Sequence, residues 1–393
     1  MRTEKRRQAK LDGGSSAISG RLVARTVHLL DRLRRSEIWP FMIQAESTNI
    51  TQDVVTQMNT DDLKNESGAV LVVTRARVFS DTAKSTFTVI QPPATNVSLR
   101  LTDNDHMQSI TKQPVNLPVL FARDTNTWAL DRPHVISTRG SFSAYLTEEG
   151  SGSTTDVSLM LLGDVVAGDL TASEVQELIG LGLYPGVAGS AGGWARFLLY
   201  ASLAEDVEDG VSEEVELAQL ELRSRVSELR LRLARSRSRY TVLETSAANV
   251  PANGTVNLPS DRLRNDSGWP LLVTRMMMNT LGAPASTGTV AKPLTNLSAD
   301  VSVLSGRKRK SLVWRPTVGA LIVDADSNVW KLDQPMVLAP GDSVEIKAYE
   351  ETGGGTIDMY VSLHGQLMEG MGAAELRECV ALGLLDGWRA QRD

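Results

Sequence analysis

Along most of this chain, short runs rich in Val, Ile, Leu and Thr alternate with clusters of Gly, Pro, Asn and Asp. Turn signals about every 8–12 residues predict the short strands of a sandwich or barrel. In the C-terminal part the runs predict strands near 240–246, 270–279, 295–304, 311–323, 328–332, 335–338, 342–350 and 356–364. In the N-terminal part they predict the same set near 41–47, 69–79, 95–102, 117–123, 127–130, 133–137, 140–147 and 155–163. A parallel sheet would need crossover helices, and neither set leaves room for them. The expected fold is therefore mainly β, two tandem jelly-roll or Greek-key β-sandwiches with flanking and linking helices. Asn126 and Asn328, each two residues before a Trp, are expected in tight turns. Pro340-Gly341 and the Gly-rich stretches 150–152 and 353–355 read as hairpin loops.

The apolar period lengthens beside each strand set. Helices are predicted over Thr171–Leu183 and Ala373–Leu384, each closing on Leu-Gly-Leu and reaching a glycine, Gly186 or Gly387, as a C-terminal stop. Before the first set, Val23, Val27 and Leu30 share a helix face. Before the second, Val215, Leu222 and Leu229 recur every seven residues, with Val226 and Leu233 beside them. Glu213, Glu214, Glu216 and Glu221 crowd its early turns and Arg230, Arg232, Arg235 and Arg237 its late ones, as the helix dipole favours. With Gln219 in so short a seam, packing onto its own sandwich is expected ahead of an inter-subunit coiled coil.

Shifted by 200 residues, the chain overlays on itself. Residues 61–75 (DDLKNESGAVLVVTR) match 261–275 (DRLRNDSGWPLLVTR) at nine of fifteen positions, and Pro93, Thr95, Asn96 and Ser98 match Pro293, Thr295, Asn296 and Ser298. With a drift of two, Trp128-x-Leu-Asp-x-Pro133 returns as Trp330-x-Leu-Asp-x-Pro335. One register held this far predicts a tandem duplication. The domains expected are a basic arm and helix at 1–40, a first sandwich with its C-terminal helix at 41–186, a linker with the amphipathic helix at 187–239, and a second sandwich with its helix at 240–393. The linker carries a Gly/Ala/Ser tract, an acidic run at 205–209 and the aromatic Trp194-Ala-Arg-Phe-Leu-Leu-Tyr200.

Composition narrows the function classes. The 393 residues are 41% hydrophobic and 22% charged, an ordinary globular balance that excludes global disorder and a pure coiled coil. A single cysteine, Cys379, leaves no disulfide framework and no thiolate-rich zinc site. His28, His106, His134 and His364 lie far apart in sequence, so no metal site and no cofactor is expected. No apolar run reaches the length of a membrane span, and the charged start MRTEKRRQAKL does not read as a secretory signal.

Candidate chemistry is sparse. Ser141 and Ser158 have no G-x-S-x-G elbow around them, and His134 and His364 do not occupy matching places in the two halves, so no enzyme is expected. Gly353-Gly-Gly-Thr356 lacks the Lys of a phosphate loop. Asp324-Ala-Asp-Ser-Asn328 departs from a calcium loop and reads as a self-bonded turn. Asn65, Asn96, Asn265 and Asn296 match glycosylation acceptors in form but are expected to make turn hydrogen bonds.

Charge says more. The first 40 residues hold ten basic residues against four acids, an arm of net +6 on a chain of net −6. Arg2, Lys5, Arg6, Arg7 and Lys10 are candidate contacts to nucleic acid or to a partner protein. Arg307, Lys308, Arg309 and Lys310 follow a strand whose counterpart is followed by Asp103-Asn-Asp105-His106, an opposition that fits complementary contacts between unlike domains. Trp39, Trp194, Phe197 and Tyr200 are the candidate interface anchors, while Trp128 and Trp330 recur in both halves and read as core.

A duplicated sandwich with flanking helices, a basic arm and no catalytic set resembles virion structural proteins built from jelly rolls, among them bacteriophage capsid and capsid-associated proteins. The resemblance implies a non-enzymatic subunit of a capsid, decoration or connector layer, assembled in the host cytoplasm. Its partners would be itself and other virion proteins, with nucleic acid as a possible target of the arm. The competing expectation is a tandem carbohydrate-binding or other ligand-binding module.

Overall fold

The computed structural model describes residues 22–81, 94, 96–122, 126–149, 155–185, 213–251, 253–282, 297–306, 308–313, 315–318, 322–323, 328–350 and 357–385. They belong to two compact units: a β unit of Ile38–Val166 with Arg237–Glu369, and a helical unit that takes Met1–Glu37, Ala167–Ser236 and Gly370–Asp393.

In the β unit the first half forms β1 (Glu37–Ile50), β2 (Val55–Gln57), β3 (Val70–Asp81), β4 (Val97–Asp103), β5 (Gln108–Ser109), β6 (Val115–Asn116), β7 (Thr127–Ile136), β8 (Phe142–Glu148) and β9 (Thr155–Ala167). The second half repeats the series as β10 (Arg237–Val250), β11 (Thr255–Asn257), β12 (Leu271–Gly282), β13 (Leu297–Ser305), β14 (Lys308–Ser311), β15 (Thr317–Val318), β16 (Val329–Leu338), β17 (Ser343–Glu350) and β18 (Ile357–Glu369). Sheet orders are β1-β9-β3-β7 facing β2-β8-β4-β5, and β10-β18-β12-β16 facing β11-β17-β13-β14, with β6 and β15 added beside β4 and β13. Every named strand pair is antiparallel, and this interleaving of early and late strands is the jelly roll. The fold class is thus mainly β, as the hydrophobic pattern implied.

Period two explains the cores. In β9, Val157, Leu159, Leu161 and Val165 turn inward and meet Leu99, Leu101, Phe142 and Leu146 of the opposite sheet. In β18, Met359, Val361, Leu363 and Leu367 do the same against Val301, Val344 and Ile346. Trp330 is core; Trp128 packs against the first core, half-buried.

The two halves also share their irregularities. In β3 the register to β9 slips between Val73 and Arg75, so Thr74 is an extra residue, and Thr274 of β12 is extra in the same way against β18. Beside each bulge lies a glycine against the neighbouring backbone. A Cβ on Gly163 would stand 1.9 Å from the Val72 carbonyl oxygen, and one on Gly365 would stand 2.4 Å from that of Leu272. Asn65 and Asn265 serve equal turns: each amide donates to two carbonyls (Ala69 and Ser137; Trp269 and Leu338) while its oxygen accepts from the serine two residues on. These two sites are turn formers, as expected. Asn96 donates instead to the Glu148 carboxylate, and Asn296 lies outside the described residues.

Several expectations need correction. The run 117–123 begins as a short helix, α2 (Leu117–Leu120), because Pro118 suits a first helical turn and cannot donate to a ladder. The predicted pairs 127–130 with 133–137 and 328–332 with 335–338 are each one strand, β7 and β16, bent where the register to β3 or β12 jumps. The run 311–323 is no single strand: β14 ends at Ser311 and β15 is only Thr317–Val318. Asn126 and Asn328 do sit in turns, with φ of 50° and 53°. The loops 150–152 and 353–355 lie outside the described residues.

The helical unit holds α1 (22–35), α3 (Ala172–Gly180), α4 (Glu213–Arg235) and α5 (Ala373–Ala381). Val23, Val27 and Leu30 of α1, and Leu222, Val226, Leu229 and Leu233 of α4, are buried as their spacing implied. The helices are joined in matching pairs. Arg25 and Arg32 of α1 bind Glu177 and Glu174 of α3, and Arg225 and Arg232 of α4 bind Glu378 and Glu375 of α5. The stops differ from those predicted at Gly186 and Gly387, which lie outside the described residues. Gly182 and Gly383, inside Leu-Gly-Leu, take φ of 67° and 63°, and Leu183 and Leu384 return hydrogen bonds to the carbonyls of Leu178 and Cys379. Cys379 is buried, and burial followed by the nearby Glu378 and Glu375 raises its thiol pKa to about 12, an inert apolar role. Among the described residues no helix is long and apolar enough to cross a membrane.

Candidate assembly interface

The outward face of the β1-β9-β3-β7 sheet is apolar, which a solvent-facing sheet side would not be. Met42, Phe79, Met160 and Leu162 project there and join one hydrophobic cluster with the second sandwich. The edge that covers them is the stretch between β13 and β16, including Leu312, Val313 and Ile322. The Met42 amide donates to the Leu312 carbonyl at 3.0 Å, so backbone as well as side chains crosses the junction.

The bulge in β3 supplies the polar part. An extra residue re-aims the strand, so the consecutive Thr74 and Arg75 both reach one carboxylate of β16. The Thr74 hydroxyl donates to Asp333 at 2.9 Å, and the Arg75 guanidinium lies 2.7 Å from the same side chain. Two residues on, Arg77 donates to the Ile322 carbonyl at 3.2 Å. Arg315 pairs with Asp62 across the same junction. Behind Asp333 lies Asp164 of β9, fully buried. Its pKa stands well above the usual carboxylate range because burial disfavours the charge; the nearby Asp333 adds to this, and Arg75 only partly opposes it.

Trp39, an expected anchor, sits in this junction. It is half-buried, packs against both cores, and carries the Lys310 ammonium 5.3 Å above its ring. Arg309, next to Lys310, donates to Ser302 at 3.0 Å and lies near Asp300 and Glu345. Lys308 is exposed on β14. Arg307, the arm residues Arg2, Lys5, Arg6, Arg7 and Lys10, and the aromatics Trp194, Phe197 and Tyr200 lie outside the described residues.

Sequence spacing gave no hint of one cluster. His106 and His134, far apart along the chain, converge on Asp103, whose Oδ2 lies 2.5 Å from His106 Nδ1 and 2.7 Å from His134 Nε2. The fold makes this by setting the turn after β4 beside β7. Burial raises the Asp103 pKa, but the bonds from His134 and His106 and from the Asp105 amide outweigh it and hold the group at about 2. These three residues form a group that could offer ligands to an ion. The nitrogens, however, stand at hydrogen-bonding distance from the oxygen, nearer than the roughly 3.3 Å that ligands keep around a tetrahedral zinc. The arrangement is a clasp between turn and strand. The loop's other acid, Asp105, accepts from the Ser137 amide and hydroxyl, so both acids of the loop opposing Arg307–Lys310 are held within their own sandwich.

No protein-family model and no curated protein matches the chain. Solved structures similar to it include the acid-stable capsid of Helicobacter pylori bacteriophage KHP30, 11% identical over 34% of this chain and 99% of that one, with a TM-score of 0.21. A chain from a structure of the triple jelly roll fold and turret assembly in an archaeal virus is 7% identical over 83% of this chain and 59% of that one, at 0.18. The VP2 subviral particle of infectious bursal disease virus is 9% identical over 87% of this chain and 74% of that one, at 0.21. Chains of Bacillus endospore appendages and of rat MASP-1 are similar to it as well, with TM-scores of 0.17 and 0.15.

Proposed function

We propose that this chain is a non-enzymatic structural subunit of a virus particle, a tandem jelly-roll protein of a bacteriophage capsid or of a capsid-associated or connector layer. It would assemble with itself and with other virion proteins in the host cytoplasm. The observation that carries the reading is the junction between the sandwiches. One jelly roll offers an apolar sheet face, and a second jelly roll of the same strand order covers it with a loop edge. Domains that pack face to edge in this way suit a shell or ring, because the contact can be repeated from unit to unit. Duplication of one ancestral sandwich accounts for the equal strand orders, the paired bulges and the matched Arg–Glu contacts between helices.

The histidines fit this reading as hydrogen-bond partners: His106 and His134 to Asp103, His364 to Tyr240 and Ser362. The basic arm would add salt-dependent contact with nucleic acid or with a partner protein. The test is the mass of the purified full chain by light scattering at low and high salt. A defined oligomer that weakens with salt is the result expected. A single chain at both salts would overturn the assembly reading and favour the ligand-binding module, for which the exposed Tyr240 and Tyr360 on one sheet are the specific observation and a glycan array the next experiment.

A further inference from the structure

The junction within the chain is used once, yet the chain carries a second copy of each of its two sides. On the first sandwich the outer sheet face is covered; on the second, the matching face of β10-β18-β12-β16 is open among the described residues. Matching follows from the registers. Val73 pairs with Gly163 and Val273 with Gly365, so Arg75 and Ser158 correspond to Arg275 and Tyr360, and β1 and β10 share bounds 200 residues apart, which matches Met42 to Val242. Tyr240 is 58% exposed, Tyr360 43% and Val242 40%. The covering edge also has a twin. Ser98 pairs with Asn116 as Ser298 pairs with Val318, so the stretch between β4 and β7 corresponds to the stretch that covers Met42 and Leu162. That twin edge exposes Met107 at 85% and Val119 at 76%, two of the most exposed large apolar side chains among the described residues.

We propose that the open face of the second sandwich binds the β4–β7 edge of the first sandwich of another copy of this chain, repeating between molecules the contact already made within one. The inference deepens the assembly reading and rests on it for the claim that copies associate. The occupant is a second copy because the chain carries a matching face and a matching edge, each with exposed apolar side chains, and already shows that such an edge and such a face fit.

The face is prepared for a partner of this kind. Arg275, matching Arg75, has no Asp333 before it and donates instead to the Tyr240 hydroxyl at 3.2 Å, which in turn contacts His364 Nδ1 at 2.5 Å. Tyrosine and arginine are the residues most enriched where interface energy concentrates. The open face is more polar than its covered twin: Ser362 and His364 replace Met160 and Leu162. The contact between chains is therefore the weaker and reversible one. Face and edge are different surfaces, so the association is head to tail and yields a closed ring or a filament rather than a two-fold dimer.

Light scattering on the full chain across a concentration series tests this with two double variants. One carries Val242→Glu with Tyr360→Glu, spoiling the face; the other carries Met107→Glu with Val119→Glu, spoiling the edge. The wild type is expected to grow to several chain masses. Each variant alone should remain at one chain mass with at least tenfold weaker self-association. An equal mixture should form a complex of two chains and stop there, because only one good face and one good edge remain. Unfolding curves that match the wild type establish that both variants fold, and Ser in place of Glu serves if one does not. Variants that assemble like the wild type would overturn this interface while leaving the assembly reading in place. A mixture that stays at one chain mass would overturn the head-to-tail pairing. A wild type that stays at one chain mass throughout would overturn both.

Discussion

Arg75 meets Asp333 at 2.7 Å across the two sandwiches, while Arg275, at the matching place in the second sandwich, donates to Tyr240 of its own sheet. The difference follows from what lies opposite. A covered sheet face offers a carboxylate that is largely shielded from water, and an open one offers solvent. Both partners of the Arg75–Asp333 pair are mostly buried, so removing one leaves the other desolvated and unmatched.

Asp333→Asn should therefore destabilise the chain by about 1–3 kcal/mol, the range for a hydrogen-bonded charged group. Urea unfolding at neutral pH measures it. Arg275→Gln, at the open twin, should cost less than about 0.5 kcal/mol in the same assay on dilute protein. Equal losses at the two positions would remove the distinction between covered and open faces.

Asp164 sets the pH dependence of the junction. Its pKa is raised in the folded chain, so below the unfolded carboxylate value of about 4 it carries its proton in both states and costs nothing. As pH rises above that value the unfolded chain releases the proton and the folded one keeps it, so stability falls until the raised folded pKa is passed. Asp164→Asn should remove this slope. Unfolding midpoints from pH 4 to pH 8 should show the variant gaining on the wild type as pH increases, and a constant gap would contradict the assignment.

Asp103 behaves in the opposite sense. Its folded pKa of about 2 lies below the unfolded value, so its contribution is present above about pH 4 and disappears as pH falls toward 2. Asp103→Asn should be less stable than the wild type at neutral pH, with the gap closing over that acidic window. Thermal unfolding at stepped pH checks this. His134→Ala should reproduce the neutral-pH loss, since it removes one of the bonds that hold the carboxylate in its charged form.

Gly163 should tolerate no side chain. An added Cβ meets the Val72 carbonyl at 1.9 Å and the backbone has no softer atom to move, so β3 and β9 would have to part beside the bulge. Gly163→Ala is expected to cost about 3 kcal/mol or more, seen as loss of soluble protein or a large fall in melting temperature. Gly365→Ala, at 2.4 Å from its neighbouring carbonyl, should be harmful to a smaller degree.

What the sequence determined by itself was local and periodic. Short runs rich in Val, Ile, Leu and Thr between turn residues identified the strands that became β9 and β18, because β-branched side chains and breaking residues act within the strand itself and not through its neighbours. Asn126 and Asn328 marked turns because their left-handed φ favours that residue type, and Val23, Val27 and Leu30 marked a helix face because they recur every three or four residues. The self-overlay likewise announced two sandwiches of one kind. Where local signals competed, the sequence was ambiguous: 117–123 is as apolar as a strand, and Pro118 alone favours the helix found there. The tertiary structure decided everything that depends on distant chain. It joined His106 and His134 through Asp103, and it placed Asp333 against Thr74 and Arg75 from 259 and 258 positions away. It also decided which of two matching sheets is covered. Arg75 and Arg275 stand in the same local sequence, Val-Thr-Arg, and nothing in that triplet records what rests on the outer face. That is set by which edge the rest of the chain brings to it.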